Sequence, residues 1–166
     1  MSQGQGIYLI RSPHDIIGRH EHLVAQQYIV NPLLLDGLKF DLRIYVLLFG
    51  VNPMRIYVYE EGLARFATVP YQPPENKNLR NYFMHLTNYA INKMSAGYKQ
   101  NETESGTGKD AHKRSLTQIY KELEALGYDV MKLKKEMDEI IIKTLISGQP
   151  SLWHNYRSCQ PDDVEN

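Results

Sequence analysis

Residues 38–50, LKFDLRIYVLLFG, carry Lys39, Asp41 and Arg43 at alternate positions of an otherwise apolar run. Strand side chains alternate faces with a period of two. These three therefore share a face with Tyr45 and Leu47, and Phe40, Leu42, Ile44, Val46 and Leu48 share the other. Such a row is either a solvated charge ladder on a half-exposed antiparallel strand or the wall of a cleft. In a cleft each charge needs a partner, because desolvating unpaired charge is costly. A polyphosphate would pair Lys39 and Arg43, and Asp41 would hold the lysine or a ribose hydroxyl. Arg65 in GLARFAT has small neighbours, Ala64 and Ala67. Its guanidinium suits forked contact with phosphate or carboxylate oxygens; the plain alternative is an exposed strand arginine.

The segment HLTNYAINK, residues 85–93, gathers His85, Thr87 and Asn88. They offer three kinds of donor and acceptor to a site, or they mark a helix entry capped by Thr87 or Asn88 with Tyr89 and Ile91 buried. Gly4 and Gly6 in SQGQGI can fold backbone N–H groups over phosphates, although glycine pairs also make plain turns. No Lys-Ser/Thr follows, so this is not the Walker pattern. No His/Cys/Asp/Glu set has zinc spacing, no Ser-His-Asp set can be inferred, and His14, His20 and His22 sit in a polar loop.

The elements that must position these residues come in two runs. In the first half, GIYLI (6–10), HLVAQQYI (22–29), 39–48, 54–59 and 63–68 read as strands, and the short links GVNP and EEG predict that the last three form a consecutive antiparallel meander. VPYQPPENKN is irregular, and the polar stretch 101–111 reads as a mobile loop. The remainder, 112–157, reads as helical. Leu116, Ile119, Tyr120, Leu123 and Leu126 follow the helical period, with a Ser115–Gln118 capping box and a stop at Gly127. A second stripe, Val130, Leu133, Met137, Ile140, Ile141, Thr144 and Leu145, is expected to end near Gly148 and Pro150. The class is α+β.

Composition narrows the function. Among 166 residues, 42% are hydrophobic, enough for a packed core. Lys plus Arg and Asp plus Glu are equal at 19 each, which gives no global electrostatic case for nucleic acid or an anionic membrane. Cys159 is the single cysteine, which fits a reducing compartment. No apolar run approaches a membrane span, and the N-terminus lacks signal-peptide character. These features predict a cytoplasmic chain. The twelve tyrosines against four phenylalanines suggest no function.

Taken together, QQYIVNPLLLDGLKFDLRIYVLL, EEGLARFATVPY and MHLTNYAINK resemble the tubulin-tyrosine-ligase-like family in order and spacing. GLARFATVPY and IIIKTLISGQPSLWHNYRSC are most similar to its tubulin polyglutamylase branch. The resemblance implies an ATP-grasp-like fold, of which this chain is an incomplete, central part. It implies ATP and Mg2+ as cofactors and ATP-dependent ligation of free glutamate onto glutamate side chains of tubulin C-terminal tails and microtubules. That reaction runs through an acyl phosphate, and the setting is the cytoskeleton, with the cilium or basal body expected. By the same resemblance Gly4 and Gly6 cover the phosphates; Gln26, Gln27, Tyr28 and Ile29 form the hinge strand beside adenine; and Lys39 and Asp41 reach the nucleotide. Arg43 and Arg65 face the terminal phosphate and the reacting carboxylate, and His85, Thr87 and Asn88 line the nucleotide and acceptor side. The family's Mg2+-binding carboxylates and its phosphate-binding lysine are expected outside this chain, so residues 1–166 alone are expected not to ligate glutamate. The alternatives are a non-catalytic tubulin- or cilium-associated binding module and a glycine or tyrosine ligase of the same family.

Overall fold

The computed structural model describes residues 6–16, 23–100 and 111–159. The chain divides into two units, one of residues 1–43 and 63–115 and the other of 44–62 and 116–166.

In the first unit the alternating segment forms the centre of a sheet. β1 (Leu34–Leu35) and β2 (Leu38–Arg43) make a hairpin. Its two turn residues, Asp36 and Gly37, have φ of 54° and 72°, the left-handed pair that matches strand twist. β2 pairs antiparallel with β5 (Leu63–Phe66), and β5 with β6 (Lys113–Ser115), giving the order β1-β2-β5-β6. One sheet face is the core. Phe66 is buried there and stacks on Phe40 with ring centroids 5.4 Å apart. Arg114 lies in the same face, almost fully buried. Its guanidinium covers the Phe66 ring at 4.3 Å, bonds the Ala111 carbonyl at 3.1 Å and pairs with Asp36 at 2.9 Å. Those partners offset its desolvation. Two single-turn helices, α1 (Tyr82–His85) and α2 (Tyr89–Asn92), follow. Asn92, also buried, accepts from the N–H and hydroxyl of Thr68 and donates to the carbonyls of Leu86 and Asn88.

The second unit holds the hairpin β3 (Val46–Val51) and β4 (Met54–Val58) with the helices α3 (Leu116–Ala125) and α4 (Val130–Ser158). Leu116, Ile119 and Leu123 bury the predicted stripe of α3, while Leu126 is exposed. Gly127, at φ 87°, ends α3. The Tyr128 N–H returns to Leu123 O at 3.0 Å and the Gly127 N–H to Glu124 O at 2.9 Å, a left-handed helix stop that glycine favours. At the other end Glu61 accepts from the N–H and hydroxyl of Thr117 at 3.0 and 2.7 Å, while Gln118 Nε2 donates to Glu122. Burial alone would raise the Glu61 pKa. Bonds from Thr117, Gly62 and Leu116 outweigh it and hold the carboxyl below its usual value. Asp129 caps α4 through the Lys132 N–H at 2.9 Å.

Several expectations are corrected. The three-strand meander does not form: the strand breaks at Ile44–Tyr45, residues 46–51 pair only with 54–58, and β2 pairs with β5 instead. Residues 7–10 and 23–29 lie in no strand, because they have no ladder partner among the described residues; Val24 and Ile29 are 89% and 70% exposed. Helix begins at Leu116 rather than residue 112, since 113–115 form β6. α4 runs through Gly148 and Pro150 to Ser158, and Gln149 donates to Val51 O at 2.9 Å within this unit. Ile140 of its predicted stripe is 64% exposed. The stretch 101–110 lies outside the described residues. Among the described residues no helix is long and apolar enough to cross a membrane.

Candidate functional site

Strand register determines which charges share a face. Asp41 stands opposite Arg65, Arg43 opposite Leu63, and Arg65 opposite Lys113. Opposed residues in antiparallel strands project to the same side. Lys39, Asp41, Arg43, Arg65 and Lys113 therefore line the face away from Phe40 and Phe66. Lys113 escaped the sequence reading because β6 has three residues, too few to display an alternation, and its place depends on pairing with β5.

Asp41 and Arg65 form a two-pronged pair: Nε donates to Oδ1 at 3.0 Å, and a terminal guanidinium nitrogen donates to Oδ2. Both side chains are partly buried. Arg43, at the end of β2, is exposed. The half-buried Lys39 ammonium donates to the Tyr28 hydroxyl at 3.2 Å and to the His85 carbonyl at 2.9 Å, and lies 4.3 Å from the Tyr28 ring centroid. Burial lowers its pKa, while the Asp41 carboxylate acts in the opposite sense. Burial, followed by the Tyr71 hydroxyl, pushes the Tyr28 pKa far up.

The segment after α1 runs beside this row at two places. His85 O accepts from Lys39, and the Tyr89 ring centre lies 6.0 Å from the Lys113 ammonium. His85 itself is fully buried. Thr87 and Asn88 are half-buried. Asn88 is the residue before α2, but its side chain makes no capping bond.

Other residues singled out from the sequence are not shown meeting this face. Gly6, with φ 79°, lines a separate cleft of about 730 Å³ with Tyr8, Asp15, Arg80 and Tyr82 among its walls. Gln26, Gln27 and Ile29 are exposed. Gly4 lies outside the described residues.

The row suits a polyanion, with Lys39, Arg43, Arg65 and Lys113 set against the single carboxylate of Asp41. Among the described residues no three His, Cys, Asp or Glu side chains gather as a metal site requires, and Asp41 is engaged by Arg65.

Comparison with known proteins adds the following. Residues 1–163 match the model of the tubulin-tyrosine ligase family. The chain is 51% identical over 164 residues to a probable beta-tubulin polyglutamylase of Tetrahymena thermophila, covering 99% of this chain and 14% of that protein. It is 48% identical over 159 residues to the human tubulin polyglutamylase TTLL13, covering 96% of this chain and 19% of the relative. It is 47% identical over 160 residues to the tubulin polyglutamylase ttll6 of Danio rerio, covering 96% and 20% respectively. The chain thus spans between 14% and 20% of the length of these relatives.

Proposed function

The chain belongs to the tubulin-tyrosine ligase family, and from that premise we propose that its charged sheet face holds the polyphosphate of ATP in the ATP-dependent ligation of glutamate to glutamate side chains of tubulin. The observation that carries this reading is the register that sets Lys39, Asp41, Arg43, Arg65 and Lys113 on one side of the sheet. Relatives named as tubulin polyglutamylases supply the acceptor and the cytoskeletal setting.

ATP supplies the activation, by turning a carboxylate into an acyl phosphate that an amine displaces. The chain's own residues bind and orient. Lys39 is a half-buried ammonium held by two acceptors, so its direction is set before a ligand arrives. Arg43, exposed at the strand end, neutralises the outermost phosphate charge. Asp41 keeps the Arg65 guanidinium flat against the sheet. Arg65 meets the reacting carboxylate or phosphate by exchanging one Asp41 oxygen for one of the ligand's, without leaving its plane. Gln26, Gln27 and Ile29 face adenine beside Tyr28. His85, through its carbonyl, and Thr87 and Asn88 border the acceptor side.

The test is equilibrium dialysis of labelled nucleotides against the purified chain. ATP is expected to bind more tightly than AMP. Lys39→Ala or Arg43→Ala each weakens ATP by on the order of tenfold, since a hydrogen bond to a charged group is worth about 1.5–3 kcal/mol. Equal affinities for ATP and AMP, or indifference to both substitutions, would overturn the reading.

A further inference from the structure

The hydrogen bonds behind Lys39 form a chain that starts at Asn78. Asn78 is buried, at 7% exposure. Its Nδ2 donates to the Pro73 carbonyl at 2.9 Å, and its Oδ1 accepts from the Glu75 N–H at 2.7 Å, which fixes the orientation of the amide. The His85 ring, at 0% exposure, brings Nε2 to 3.4 Å from the same Oδ1. That oxygen can only accept, so Nε2 carries the proton. Nδ1 of the neutral ring is then an acceptor. The Tyr28 hydroxyl stands 3.1 Å from it and is placed to donate, with the Tyr71 hydroxyl, whose own proton goes to the Val30 carbonyl at 2.7 Å, as the competing acceptor. With its proton so directed, the Tyr28 oxygen accepts from Lys39 Nζ at 3.2 Å. A second Lys39 proton goes to the carbonyl of His85 itself at 2.9 Å. Tyr28 and Tyr71 stand edge-on to the imidazole, with ring centroids 5.7 and 6.0 Å away.

We propose that Asn78 and His85 are positioning residues for Lys39: Asn78 fixes the His85 tautomer, and His85, through the Tyr28 hydroxyl and its own carbonyl, aims the ammonium at the charged face. An ammonium has three donors, and the relay uses two of them. The third is left for an anion beside Asp41 and Arg43. Burial lowers the His85 pKa and the Lys39 charge lowers it further, against a bond to the Asn78 backbone, which favours the neutral ring the relay requires. A bare lysine on a strand surface carries a large side-chain entropy that ligand binding would have to remove; a lysine held at two acceptors has lost most of it already. The functional consequence rests on the reading of Lys39 as a phosphate ligand, whereas the relay itself does not.

The experiment is nitrogen-15 NMR of the chain without nucleotide, joined to dialysis of inorganic triphosphate. In the wild type the His85 ring is expected as the neutral Nε2–H tautomer at pH 7, and to protonate only at a lower pH than an ordinary imidazole. Tyr28→Phe keeps both ring contacts and removes only the hydroxyl. It is expected to move the Lys39 Nζ resonance and to weaken triphosphate about tenfold. A His85 ring protonated on Nδ1, or on both nitrogens at pH 7, would overturn the relay even if the variant failed to fold. So would an unmoved Lys39 Nζ signal in a folded Tyr28→Phe. If Lys39→Ala leaves triphosphate binding unchanged while Tyr28→Phe still shifts Lys39 Nζ, the relay stands and the phosphate role of Lys39 fails.

Discussion

The buried polar side chains among the described residues, Asn78, His85, Asn92, His112 and Arg114, all belong to the first unit; the second buries Leu116, Ile119, Leu123 and Val130. The second unit also leaves large apolar side chains in water, with Leu47, Phe49 and Tyr59 of the hairpin region at 59%, 59% and 66% exposure. A buried polar group is costly unless it is bonded. In the first unit each has partners, several of them far away in sequence. The second unit joins distant segments through the Thr117–Glu61 and Gln149–Val51 bonds and adds local devices: a glycine stop, an aspartate cap and the ion pair between Glu139 and Lys143, one helical turn apart. One unit uses polar burial to fix directions, as a binding site requires. The other is built from propensity and apolar packing.

The largest expected effect separates the two modes directly. Phe66→Ala removes a fully buried ring that stacks on Phe40 and lies under Arg114, and should cost about 3–5 kcal/mol. Ile140→Ala, on an exposed part of α4, should change stability by less than about 0.5 kcal/mol. Chemical denaturation followed by hydrogen exchange measures both, and comparable losses would erase the contrast.

Pro150 is the strongest local objection to α4. A helix-interior proline costs roughly 3 kcal/mol against alanine. Pro150→Ala should therefore strengthen α4 by ~1–3 kcal/mol, read as slower exchange of amides 146–154. Unchanged exchange would mean that the helix has absorbed the proline without cost.

Acid should reach the two units in different windows. His85 and His112 both have pKa values lowered from 6.5, with burial the leading cause. The unfolded chain then binds more protons than the folded one below pH 6.5, so first-unit stability falls as pH drops from 6.5 towards the folded values. In the second unit Glu61 has a folded pKa below 4.5, so its contribution is complete above 4.5 and is lost as pH falls through the folded value. Amide protection in β2, β5 and β6 should therefore decline before that in α3. Simultaneous loss would contradict the assignment.

A smaller loss than that of Phe66→Ala is expected at the start of α3. Glu61→Ala removes the acceptor of the Thr117 N–H and should cost about 1 kcal/mol, as loss of a helix cap does, confined to α3 amides.

What the sequence made legible follows the same division. The period-two row of Lys39, Asp41 and Arg43 is local, and so is the Gly127 stop; both appear in the structure as read. The pairing of β2 with β5 was hidden because a complete hairpin, with its own turn residues, stands between them, and its strands are as apolar as those of the sheet. Lys113 and Asn78 act through partners distant in sequence, so no spacing announces them. The burial of His85 was equally invisible, because the groups against its ring, Tyr28, Tyr71 and Asn78, include one 57 residues away in sequence. Pro150 misled in the other direction: a reliable local breaker lies inside a helix whose neighbouring turn is tied to the hairpin by Gln149.

The central claim is that one sheet face of the first unit receives the phosphates of a nucleotide. Side-chain nitrogen-15 NMR of the chain during titration with ATP tests it most directly. Saturable shifts of Lys39 Nζ and of the Arg43 and Arg65 Nε signals are expected with a common midpoint, with smaller shifts for AMP and unmoved signals along α4. Saturation confined to Arg80 in the separate cleft or to α4, with Lys39, Arg43 and Arg65 unmoved, would contradict it.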